Sequence, residues 1–101
     1  MNENKTAQIK QIVSKMTLDK IASYLQEHST SSTLKEIIKY SKRALESNEE
    51  EKVYKLAVHL AYDLDTLVNK TDYVKNEKEK KPLLEIAKEL FENTIGYKEK
   101  K

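Results

Sequence analysis

Cysteine and tryptophan are absent from this chain, and glycine and proline occur once each. Without cysteine there is neither a disulfide framework nor a thiolate zinc site. A single glycine excludes a Gly-rich phosphate loop and leaves little of the turn chemistry that a sheet protein needs. Nowhere do 18 apolar residues run together, which argues against a membrane-spanning helix. No apolar block near the start resembles a signal peptide, so the expected location is the cytoplasm. Neither sign of charge dominates: 19 Lys and Arg stand against 17 Asp and Glu, and a net charge of +2 is too small to argue for nucleic acid by itself.

What remains is charge and helical periodicity. Charged residues make up 36% of the chain, which suits exposed helix faces. A length of 101 residues allows one domain, residues 1–101, with a single modest core. The strongest pattern lies between Val53 and Val68, where Val53, Leu56, Ala57, Leu60, Ala61, Leu64, Leu67 and Val68 recur at three- and four-residue steps. At about 100° per residue they fall within an arc of roughly 140°. A stripe that wide needs more than one neighbour, so this helix is expected to be the spine of a bundle, with Tyr62 pointing nearly opposite.

The other segments are read outward from that spine. A first helix is expected over about 4–27, but Ile9, Ile12, Val13 and Met16 share one face and Leu18, Ile21, Ala22 and Leu25 another, turned by well over a right angle. Either the helix breaks near Met16–Thr17, with Thr17 capping a second piece and Asp19 in its first turn, or it runs on and touches two neighbours. A continuous or kinked helix is the expectation. A second helix, about 33–47, opens on a capping box of Thr33 and Glu36 and buries Leu34, Ile37, Ile38, Ser41, Ala44 and Leu45, with Ser41 small enough for a close helix contact. Ser47 and Glu50 offer another box before a third helix, about 49–69, where Glu51 and Lys55 form an i, i+4 pair.

After Val68 comes a basic linker, 70–81, whose KNEKEKK run reads either as a solvated loop or as an early helix turn with Asn76 as cap. Pro82 suits the first turn of a fourth helix, about 82–95, carrying Leu83, Leu84, Ile86, Ala87, Leu90, Phe91, Thr94 and Ile95 around one side. Gly96 is placed to stop it, and a short tail, 96–101, follows. Four amphipathic segments joined by short turns predict an all-α fold, an antiparallel up-down four-helix bundle.

No constellation of reactive groups emerges, so no enzyme activity and no cofactor are expected. His59 has Asp63 one turn later, which is half a metal site at most, and the reading is a satisfied or exposed surface pair with no metal. Glu85 and Glu89 read as a solvated face. Lys70, Lys75, Lys78, Lys80 and Lys81 cluster near Tyr73, and Lys98, Lys100 and Lys101 near Tyr97. These two groups sit at opposite ends of the last helix, some 20 Å apart at roughly 1.5 Å per residue, and acidic residues interleave both. No nucleic-acid partner is therefore expected. Of six tyrosines, Tyr24, Tyr40 and Tyr54 lie at stripe edges with hydroxyls toward water, and Tyr62, Tyr73 and Tyr97 are expected to be more exposed.

The second helix TLKEIIKYSKRALES, the acidic turn NEEEK, the third helix LAVHLAYDLDTLVNK, a polar linker and PLLEIAKELFEN together resemble the enterocin A immunity family. These are the proteins that protect producers of class IIa, pediocin-like bacteriocins. The likeness covers Leu34 to Leu90, and the segment before Thr33 matches loosely. It implies a four-helix bundle without enzymatic activity, acting from inside the cell on the membrane mannose phosphotransferase permease once bacteriocin has engaged it. Specificity in that family maps to the C-terminal half. Carried onto this chain, the resemblance nominates Tyr73, Lys75, Lys78, Lys80, Lys81, Tyr97, Lys98 and Lys100 as partner contacts, with peripheral association at the inner membrane face. A monomer is expected. The alternative is a small helical adaptor or regulator, with the Ile9 to Met16 face as a dimer surface.

Overall fold

The computed structural model describes residues 2–95, and of residues 2–4 the backbone alone. Within that range the protein is all-α, with five helices and no strand: α1 (Asn2–Ser14), α2 (Leu18–Glu27), α3 (Ser32–Glu46), α4 (Glu50–Asn69) and α5 (Glu77–Thr94). Gly96 and the tail, with Tyr97, Lys98 and Lys100, lie outside the described residues.

Helix α4 occupies the position its stripe predicts. Its eight periodic residues are all buried, joined by Tyr54, and α1, α3 and α5 each pack against it. Tyr62, on the opposite side, is 60% exposed. Tyr54 therefore departs from the half-wet edge position expected of it, since the neighbours of α4 cover more than the central arc.

The expected first helix is two helices. The N–H groups of Lys15 and Met16 donate to Ile12 and Val13, three residues back, which tightens and ends α1. Thr17 is extended, and its carbonyl accepts from Lys20 and Ile21 to start α2. Its hydroxyl makes no cap bond. The break resolves the phase conflict in the sequence: Ile9, Ile12 and Val13 are buried from α1 and Met16 from the break, and Ile21 is buried from α2 with Leu18 and Leu25 packed against the core. Ala22 stays exposed. Because the Ile9 to Met16 face is core, it is not open as a dimer surface. Helix α2 packs against α3 and makes no comparable backbone approach to α4 or α5.

Both expected capping boxes shift. Helix α3 begins one residue early, capped by Ser31, whose Oγ accepts from the Leu34 N–H at 3.2 Å. Before α4, Ser47 Oγ accepts from the Glu49 N–H at 3.1 Å, and Glu49 takes the cap position without a side-chain bond. The expected Glu51–Lys55 pair forms at 3.3 Å. Ser41 is fully buried, and its hydroxyl donates to Met16 Sδ at 4.0 Å, which ties α3 to α1.

Helix α5 begins at Glu77, within the expected linker, because Asn76 Oδ1 accepts from the Lys78 N–H at 2.8 Å. Pro82 consequently lies inside the helix and has no N–H to give to the Lys78 carbonyl one turn earlier. Leu83, Ile86, Ala87 and Leu90 are buried against α4, whereas Ile95 ends the helix and is 77% exposed.

Candidate functional site

The segment between α4 and α5 is held at Lys70, Thr71, Tyr73 and Val74. The Lys70 N–H closes α4 on the Thr66 carbonyl at 2.8 Å, and the Thr71 hydroxyl donates to the Leu67 carbonyl. The Tyr73 N–H donates to Thr71 Oγ1 at 3.4 Å, and Val74 is buried. Tyr73 itself turns inward and stacks on His28 just after α2, with ring centroids 4.1 Å apart and an interplanar angle of 26°. The expectation of an exposed Tyr73 is thus corrected. A flat, half-apolar ring gains more from another ring and the core edge than from water.

The lysines that follow are arranged around the first turns of α5 and do not form one patch. Lys75, Lys78 and Lys81 are exposed. Lys80 is half-buried and reaches Glu77 at 3.9 Å. Lys78 faces α2, whereas Lys81 lines a shallow depression on the other flank of α5 with Leu84, Glu85 and Lys88.

Between α2 and α5, where the two helices do not touch backbone to backbone, lies a groove of about 250 Å³. Its floor is apolar, made by the buried Ile21, Leu83 and Ile86, with exposed Pro82, Lys15, Lys20 and Lys78 around its mouth. Lys15 reaches Glu89 at 3.2 Å, so Glu89 is not the purely solvated acid the sequence suggests. Lys20 reaches Glu79 at 2.6 Å and bridges the groove. That ammonium, and after it the Tyr24 hydroxyl, hold the Glu79 carboxyl below the usual range. The Tyr24 hydroxyl is buried beside the Glu79 carboxylate, contrary to the wet edge expected for it. Burial first, and then the Glu79 and Glu27 carboxylates, push its pKa up to about 12.

A second polar group lies between α3 and α4. Asp63 is half-buried, and one carboxyl oxygen, Oδ2, is buried without a hydrogen bond. Burial and then the facing Glu36 carboxylate raise its pKa to about 6, against the opposing pull of His59. Asp63 is therefore not the satisfied surface partner that its spacing from His59 suggests. His59 is exposed and tilts against Tyr40, with centroids 5.5 Å apart. Among the described residues no cluster of three or more His, Cys, Asp or Glu is placed to hold a metal ion. Nor is any helix there long and apolar enough to cross a membrane.

Sequence reasoning found Lys78 but missed the opposite wall of the groove, Lys15, Lys20 and Tyr24. The one signal that pointed there was the change of apolar phase at Met16–Thr17, since a break in the first helix is what swings α2 away from α5. Compared with known proteins, the chain matches no family model, no curated protein and no solved structure.

Proposed function

We propose that this chain is a bacteriocin immunity protein, a non-enzymatic module that protects its cell from a class IIa, pediocin-like bacteriocin at the cytoplasmic side of the mannose phosphotransferase permease. The reading rests on the resemblance of Leu34 to Leu90 to the enterocin A immunity family. The structural observation that supports it most is the surface at the start of α5. Lys78 and Lys81 project from a helix, and Lys75 from the residue before its cap, where the lead-in is pinned by Val74 and the Tyr73–His28 stack, so the cations are presented from a fixed frame. Such lysines gain about 1 kcal/mol each near an anionic membrane surface, and a rigid frame lowers the ordering cost of a protein contact. In this proposal α1 and α2 count as one broken arm of an antiparallel four-helix bundle, and the three-residue link from α3 to α4 makes those two helices antiparallel neighbours. Tyr97, Lys98 and Lys100 would extend the contact surface from the tail.

The test is expression in a sensitive host challenged with a panel of pediocin-like peptides. Survival against at least one peptide is expected, and unchanged killing across the panel would overturn the reading. A second reading, a helical adaptor working through protein contacts, draws on exposed Tyr62 and Ile95 beside Phe91. It predicts no protection, and loss of partner capture when Tyr62 and Ile95 are replaced by serine.

A further inference from the structure

Where α3 packs on α4, two acids face each other: Glu36 from the second turn of α3 and Asp63 from the middle of α4. Packing fixes their approach. Leu34 and Ile37 beside Glu36, and Leu60 and Leu64 beside Asp63, are fully buried, so the two backbones cannot part here without opening the core. Asp63 Oδ2 is closed off from water and accepts from no donor among the described residues. An ionised carboxylate in that position is left with a buried acceptor unpaired, which native structures rarely tolerate. His59, one turn earlier on α4, is exposed and tilts against Tyr40, so it does not cap the oxygen. What stands across from it is a second carboxyl, and two carboxyls bond only through a proton.

We propose that Glu36 and Asp63 share one proton, and that this proton is a pH-dependent clasp between α3 and α4. With the proton in place, one acid donates to the other and the orphaned oxygen is satisfied. Without it, two like charges meet at the edge of the core, an arrangement that a facing pair resists. The proton comes from solvent as pH falls and returns there as pH rises. The charged groups acting on Asp63 are Glu36 from α3 and His59 from α4 itself; no group of α1 or α5, the other helices packed on α4, is among them. Burial and then Glu36 raise Asp63 from 3.8 to about 6, which sets the window: the clasp is whole below the lower value, weakens as pH rises between the two, and is open above the upper one. The first turns of α3 are the part that yields, since their one side-chain cap bond is from the Leu34 N–H to Ser31 Oγ at 3.2 Å. The inference goes beyond the proposed function and does not rest on it, because the immunity reading uses neither acid.

The experiment follows the side-chain carboxyl carbons of the isotope-labelled full chain by NMR from pH 3 to 8. Asp63 is expected to titrate with a midpoint of about 6, and the Glu36 carbon to show a second inflection at the same pH, the mark of a shared proton. Glu36→Gln, at an exposed position, should lower the proton affinity of Asp63 at least tenfold. His59→Gln should leave the second Glu36 inflection in place. Amides of residues 35–38, corrected for intrinsic exchange, should be at least fivefold better protected at pH 4.5 than at pH 7, and Asp63→Asn should abolish the difference. An Asp63 midpoint near 4, a single-step Glu36 titration, no response of Asp63 to Glu36→Gln, or equal protection at the two pH values would each overturn the inference.

Discussion

Lys20 of α2 meets Glu79 of α5 at 2.6 Å, across a gap where the two helices make no backbone approach. The pair shows up in the titration of Glu79, whose folded pKa lies below the ordinary carboxylate value. A depressed acid contributes its stability above the unfolded pKa and loses it as pH falls through the folded one. Replacing Lys20 by Met removes the leading cause, so the Glu79 side-chain carbonyl, followed by NMR, should titrate at higher pH than in the parent. An unchanged midpoint would mean that the ion pair does not persist in solution.

Asp63 has the opposite sign. Its folded pKa is raised from 3.8 to about 6, so the folded state holds a proton that the unfolded chain has already released between those values. The penalty is absent below the unfolded pKa, grows as pH rises from there to about 6, and is fully present above it. Asp63→Asn should therefore stabilise the protein at neutral pH by about 1 kcal/mol, a figure discounted for the partial exposure of the site. The advantage should vanish near pH 4 in urea titrations. A variant less stable than the parent at neutral pH would contradict the assignment.

The linker's position depends on the stack of Tyr73 on His28. Aromatic pairs of this kind contribute about 0.5–1.5 kcal/mol beyond area burial. A double-mutant cycle with His28→Ala and Tyr73→Ala should return a coupling energy in that range, with faster amide exchange around Val74 in each single variant. Strict additivity would show that the rings do not hold the linker.

Ser41 separates packing from polarity. It is fully buried, and its hydroxyl makes a weak contact with the sulfur of Met16, just past the end of α1. Ser41→Ala should change stability by less than about 1 kcal/mol, whereas Ser41→Leu should cost about 1–3 kcal/mol by forcing α3 and α1 apart. Denaturant midpoints for the two variants distinguish these outcomes.

Much of this was legible in the sequence because helical burial writes itself as period. The α4 stripe from Val53 to Val68 needs no tertiary information to be read. The same logic exposed the conflict between Ile12 and Ile21 but did not choose between a kink and a break. That choice depends on whether Lys15 and Met16 bond three residues back, which side-chain pattern does not encode. Asn76 against Pro82 as the start of α5 is similar: both are sound first-turn signals, and the asparagine prevails, its Oδ1 accepting from the Lys78 N–H and its carbonyl from Glu79 and Lys80. Tyr24 and Glu79 were not legible at all as a pair, nor were Asp63 and Glu36, since each joins residues from different helices whose rotation about their axes only packing decides.

The account turns on whether the exposed lysines at the start of α5 protect a cell. The direct measurement compares survival of a sensitive host under pediocin-like peptides when it expresses the parent chain, a Lys75→Glu, Lys78→Glu, Lys81→Glu variant with unchanged melting temperature, or no chain. The account predicts protection by the parent and its loss in the variant. Equal killing with and without the parent chain would contradict it, and full protection by the variant would remove these lysines from the contact.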